Sequence, residues 1–305
     1  MRVTHIRFGG YQPPASVHNQ AAELLGQQLT AQLGDAVRFE LDGNIVNSGY
    51  KAADLLKLTE SGELDMCYFS TSYLAERVPE FALFDLPFVI DQREHAYAVM
   101  DGPFGKLLAE KVRAATGYRL LGFWDNGFRH LSNKHRPIRS PSDIQGMSIR
   151  TLFSDLHAEV FGLLGFKPIA LDVKELLSGV QSGEVAAQEN PLTNYYKFGI
   201  HKYHPYITLS SHFFGVAALL CNNDSYENWS NEFKEALAIS AAEATVEQRR
   251  LAAADDEEIL DKIVAEKVNI VTLNKEERTA FKDAVAPILE EQQKRFGKEL
   301  FSYIV

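Results

Sequence analysis

The chain has 305 residues, 46% of them hydrophobic and 24% charged, an ordinary globular composition that excludes a disordered or fibrous protein. Its length suits about two domains, each able to bury its own core. The formal net charge of −10 repels phosphate backbones and anionic lipid, which argues against nucleic acid and membrane surfaces as partners, although a few buried arginines can still hold an anionic small ligand.

The first two thirds alternate strand and helix patterns. Arg2 to Phe8 reads as a strand, with Thr4, Ile6 and Phe8 set between polar neighbours. Asn19 to Leu33 follows as a helix with Ala22, Leu25, Leu29 and Leu33 on one face, stopped by Gly34. Val37, Phe39 and Leu41 alternate again, Asp54 to Leu58 is helical, and Leu64 to Phe69 is a short apolar strand. Gly105 to Ala114 is a helix and Arg119 to Trp124 a strand. A change comes at Asn126-Gly127-Phe128-Arg129, before a Pro-, Ser- and Arg-rich loop from Lys134 to Gly146. The alternation then restarts: Met147 to Thr151 strand, Asp155 to Leu164 helix, Pro168 to Ala170 strand, Lys174 to Gln181 helix. Such order predicts an α/β fold with a largely parallel sheet, in two units.

The last third differs. No Gly occurs between Gly215 and Gly297, and no Pro between Pro205 and Pro287. Asn231 to Lys267 is rich in Ala, Glu, Leu and Lys, which predicts one long helix, about 50 Å at 1.5 Å per residue, or two helices broken near Ala252 to Asp255. Val268 to Leu273 alternates as a strand, and Lys275 to Tyr303 is helical.

The chain carries no G-x-G-x-x-G, Walker A, H-E-x-x-H or G-x-S-x-G motif. Cys67 and Cys221 sit in apolar runs and read as buried thiols, and the histidines have no metal spacing. No cofactor or metal is expected. Period two sets Ser148 and Arg150 opposite Met147 and Ile149, so Arg150 stands at a strand end after a Gly-bounded loop. There a guanidinium either grips a carboxylate through its planar fork or makes a weak surface ion pair. The same alternatives hold for Arg129. Asn190, before Pro191, either donates to an anion or caps the next turn.

Three segment groups resemble the solute-binding subunits of tripartite ATP-independent periplasmic (TRAP) transporters, of the dicarboxylate-binding type. The first is Gly127-Phe128-Arg129 with Ser132-Asn133, Arg136-Pro137-Ile138, Asp143 to Gly146 and Ile149-Arg150. The second runs from Gln181-Ser182-Gly183 to Gln188-Glu189-Asn190-Pro191, with Ala186-Ala187 where the family commonly has Asp-Gly. The third is Gly62 to Met66, Pro79-Glu80-Phe81 and Phe84 to Phe88. The resemblance implies a two-lobed, periplasmic-binding-protein-like α/β fold with crossing strands and a long helix spanning both lobes, the lobes closing on a ligand. Lobe one is expected at 1–126 plus about 215–253, lobe two at 127–214 plus about 254–305. The resemblance also implies a carboxylate held by Arg150, assisted by Asn190 and Arg129. A variable wall is expected from Tyr11, Ser16, His18, Phe69, Ser70 and Tyr73, with His212 and Phe213 near the second crossing. The expected partners are a small organic acid and the membrane permease subunits of the transporter. The protein is expected to be a periplasmic monomer, with no secretion signal visible in the chain. The rivals are an enzyme acting on a carboxylate and a ligand-sensing module of the same fold.

Overall fold

A computed structural model describes residues 3–305; Met1 and Arg2, the start of the first expected strand, lie outside the described residues. In chain order the elements are β1 (Thr4–Gly9), α1 (Val17–Leu33), β2 (Val37–Asp42), α2 (Asp54–Glu60), β3 (Met66–Ser70), α3 (Arg93–Asp101), α4 (Pro103–Ala115) and β4 (Tyr118–Asn133). Then come β5 (Ser148–Thr151), α5 (Asp155–Leu163), β6 (Lys167–Ala170), α6 (Val173–Ser182), β7 (Ala187–Pro191) and α7 (Leu192–Lys197). The chain ends with β8 (Tyr206–Asn222), α8 (Asn223–Asn228), α9 (Asn231–Ala265), β9 (Asn269–Thr272) and α10 (Lys275–Phe301). The long helix is therefore one element of 35 residues, without the alternative break near Ala252.

The chain divides into two compact units. The first takes the described residues up to Thr71, Lys106–Asp125 and Val216–Ala254; the second takes Ser72–Gly105, Asn126–Gly215 and Asp255–Val305. Strands β4 and β8 and helix α9 each contribute residues to both. Residues 72–105, expected with the first unit, group with the second. The cause is apolar packing: α5 and α10 both contact the Pro79–Asp85 turn, and Phe88 joins a buried cluster with Leu131, Ile149 and Phe161.

In the first unit β1 pairs in parallel with β2 and with β3, and β3 runs antiparallel to Ala217–Cys221 of β8. Helix α1 starts where the Ser16 hydroxyl accepts the Asn19 N–H at 3.2 Å, and it buries Ala21, Ala22, Leu25 and Leu29. Helix α9 anchors the end of this unit's share of β4. Gln248 exchanges two hydrogen bonds with the Asp125 backbone, at 2.8 and 2.7 Å, and the Trp124 indole donates to Thr245 Oγ1 at 3.2 Å.

In the second unit Arg129–Asn133 of β4 runs antiparallel to β7, while β7, β5 and β6 are parallel, and β9 lies parallel to Tyr206–Leu209 of β8. Helix α6 opens on a capping box between Asp172 and Glu175 and stops at Gly183, whose φ of 80° is the left-handed conformation a helix end favours. Helix α10 opens on a second capping box, Asn274 with Glu277.

Strand β4 runs through Asn126-Gly127, where the sequence pattern changes, and continues to Asn133. Gly127 has a φ of 85°, and a Cβ placed there would lie 3.1 Å from Pro191 Cβ. The residue that looks like a strand breaker is what lets the strand bend past β7.

Phe161 fixes this unit's core. It is fully buried and meets Phe166, His212 and Phe213 edge-on, with ring centroids 5.9, 5.4 and 5.9 Å away. Phe161→Ala is expected to cost about 3–5 kcal/mol, read as a lowered urea midpoint; a midpoint equal to wild type would contradict the assignment of Phe161 to the core.

Candidate functional site

The second unit buries an ionic cluster around the end of β5 and the length of β7. Arg150 leaves β5 fully buried, and its Nε donates to the Leu171 carbonyl at 2.9 Å. Its Nη2 is buried and makes no hydrogen bond. Burial lowers the Arg150 pKa, opposed by the electrostatic influence of Tyr73 and Glu189; a guanidinium nonetheless stays charged at any working pH. A buried charge with an unfilled donor is the signature of a place where an anion completes the bonding.

Arg129 is differently placed. Its Nε and Nη2 reach the two carboxylate oxygens of Glu189 at 2.5 and 2.7 Å, and Nη2 also approaches Asn190 Oδ1 at 3.4 Å. Both members of the pair are buried. Burial alone would raise the Glu189 pKa; the charge of Arg129 and hydrogen bonds from His212 and Arg129 overcome this and hold it below the usual carboxylate range. Asn190 donates to Gln188 Oε1 at 2.5 Å and accepts from Asn194 at 3.2 Å. It therefore ties β7 to α7 through side chains alone and does not cap the helix, whose N-cap is Pro191, and its oxygen is turned to Arg129.

His212 places Nε2 3.3 Å from Glu189 and Nδ1 2.7 Å from Ser210 Oγ. Next to it Ser211 has a φ of 44°, a strained value for a residue with a side chain, which interrupts the alternation of β8 and admits a bond from its N–H to His130 Nδ1 at 3.2 Å. Phe213 lies in the core and stacks on His157 at 4.5 Å, so it supports the cluster rather than lining an open wall. His157 lies 3.3 Å from Asp85 and 3.9 Å from Glu189, with neither ring nitrogen in a hydrogen bond. Tyr73 packs near Phe153, and its pKa is raised by burial and lowered by the charge of Arg150.

The remaining expected residues belong to the first unit. Tyr11 meets Phe69 edge-on at 5.2 Å and Tyr68 at 5.6 Å, and His18 stacks on Tyr68 at 4.9 Å. Ser70 ends β3, buried beside Phe69. Ser16 is the cap of α1 rather than a wall residue. Sequence reasoning missed Tyr68 and Trp124, which complete this aromatic group, and Gln12, whose buried side-chain amide makes no hydrogen bond at either end. In the second unit it missed Glu189, His157, Asp172 and Thr151. Glu189 stood inside a quoted motif, but its partner lies 60 residues away and only strand pairing brings them together.

Two α/β units that both draw on β4, β8 and α9, one of them with a buried guanidinium whose Nη2 is unfilled, are features of a solute-binding protein. The model of the family described as bacterial extracellular solute-binding protein, family 7, matches residues 8–295, and the chain belongs to that family. It is 27% identical over 282 residues to the 2,3-diketo-L-gulonate-binding periplasmic protein YiaO of Escherichia coli, covering 92% of this chain and 84% of that one. It is 27% identical to the C4-dicarboxylate-binding periplasmic protein DctP of Rhodobacter capsulatus, covering 84% and 77%. Among solved structures, the sugar acid binding protein of Advenella mimigardefordensis in complex with galactonate superposes with a TM-score of 0.94 at 28% identity, covering 100% of this chain and 97% of the other. A TRAP periplasmic solute binding protein of Sulfurospirillum deleyianum with bound succinate gives 0.92 at 28% identity, covering 100% and 99%.

The Arg129–Glu189 pair sets two expectations. Glu189→Gln strands a buried guanidinium and is expected to destabilise by about 3–5 kcal/mol, measured by urea unfolding; wild-type stability would show the pair to be dispensable. The second concerns pH. Burial, with the charges of His212, Arg93, Arg129 and Arg278, pushes His130 down to about 3. Unfolded, the same imidazole titrates near 6.5. The unfolded chain therefore takes up a proton that the folded chain refuses. Stability is full above about pH 6.5 and falls toward pH 3, by up to about 1.4 kcal/mol per pH unit for this one group. Glu189, whose folded pKa is depressed, adds a loss in the same direction below its unfolded pKa of about 4.3. Urea midpoints measured from pH 7.5 to 4.5 should hold down to about pH 6.5 and drop below it, less steeply in His130→Gln.

Proposed function

We propose that the chain is the extracytoplasmic solute-binding subunit of a TRAP transporter and that Arg150 grips the carboxylate of a small organic acid. The observation that carries this reading is the fully buried guanidinium whose Nη2 makes no hydrogen bond. An arriving carboxylate supplies the missing acceptor. In a low-dielectric setting that pairing is far stronger than in water. Arg129, matched to Glu189, and Asn190, bonded to Gln188 and Asn194, hold the frame against which the acid is oriented. The protein binds and releases its acid without making or breaking a bond, acts as a monomer in the periplasm, and hands its cargo to the membrane permease subunits. The family and the similar structures, which are solute-binding proteins, support this over an enzymatic role.

Lysine at position 150 keeps the charge and loses the planar fork. Arg150→Lys is expected to bind the acid at least about tenfold more weakly by titration calorimetry, with the acid recovered chemically unaltered after incubation with either protein. Wild-type affinity in this variant would remove Arg150 from the site, and a converted acid would restore the enzymatic alternative.

A further inference from the structure

We propose that the ligand is a hydroxylated monocarboxylate, of the sugar-acid class, and that the site discriminates against dicarboxylates; this rests on Arg150 being the anchor. Among the described residues, Arg129 and Arg150 are the buried arginines, and no lysine is buried. Arg129 already faces both oxygens of Glu189. Arg150 spends Nε on a backbone carbonyl and leaves Nη2 to be filled. One unfilled guanidinium edge matches one carboxylate.

A second carboxylate in this unit meets the wrong sign. The Arg150 bond to Leu171 places the next residue, Asp172, beside the anchor, where it is 1% exposed and caps α6 through Oδ1 to the Lys174 N–H at 2.9 Å. Asp85 is buried as well. Like charges repel strongly where water is excluded. A hydroxyl, by contrast, donates to a carboxylate. Thr151 offers a matching neutral group: its Oγ1 is buried and makes no hydrogen bond, and with Tyr73 it lines an open cavity of about 690 Å³. An unfilled hydroxyl is a cost that a ligand hydroxyl or keto oxygen relieves.

The dialysed protein is titrated with D-galactonate, D-gluconate and D-glucuronate on one side and succinate, fumarate and glutarate on the other. At least one hydroxylated monocarboxylate is expected to bind about tenfold or more tightly than every dicarboxylate. Asp172→Asn keeps a good helix cap and removes the charge, and it should narrow that ratio by about tenfold, mainly through gained dicarboxylate affinity. A dicarboxylate as the tightest ligand of the wild type overturns this inference and leaves the anchor standing. An unchanged ratio in Asp172→Asn, with folding intact by circular dichroism, overturns it too. Failure of all six acids to bind overturns both this inference and the carboxylate reading beneath it.

Discussion

A guanidinium taken out of water cannot discard its charge, and that constraint organises the second unit. Arg129 and Arg150 are buried, and neither can deprotonate to escape the cost. For Arg129 the answer is a carboxylate in a two-point grip, Glu189. Glu189 then becomes a hub, with His212 at 3.3 Å and His157 at 3.9 Å around the same group. Burial lowers the pKa of both His130 and His212. That spares the unit two further buried charges, because a desolvated imidazole stays neutral. The strained Ser211 backbone fits the same scheme, since it turns its N–H toward His130 Nδ1.

This local field is independent of the chain's overall charge. The net −10 comes from carboxylates that mostly face solvent, where ions screen them over about 8–10 Å. The buried pair and the unfilled Arg150 act at contact distance and are screened far less. The proposed binding of an acid by an acidic protein is therefore no paradox: the long-range term slows encounter modestly, and the short-range term decides affinity.

Hydrophobic period and helix signals made most elements legible in the sequence. Helix α6 declared itself through its periodic apolar residues and Gly183, and α9 through its long stretch without Gly or Pro. The great length of β4 and β8 was not legible. Gly127 reads as a strand breaker, and the positive φ of Ser211 belongs to a residue type that gives no warning of it. At the site, Arg150 stood out only through resemblance, since alternation on a four-residue strand cannot tell a buried arginine from a surface one. The Arg129–Glu189 pair was hidden for another reason: it depends on the register between β4 and β7. Gln12 and Thr151 were invisible in principle, because they matter for the bonds they lack.

Those missing bonds couple ligand binding to folding. An unfilled Nη2 on a buried charge is a debit carried by the unliganded fold, of about 1–3 kcal/mol for an ordinary polar group and more for a charged one. A bound carboxylate removes it in the folded state alone, because an unfolded arginine is satisfied by water. The ligand therefore stabilises the protein by an amount that grows with its concentration over Kd, about 2.7 kcal/mol at a hundredfold excess. The same term makes release possible. With Arg150 as the proposed anchor, affinity is the gain there minus the cost of desolvating the acid. A second fork would deepen that well and slow release.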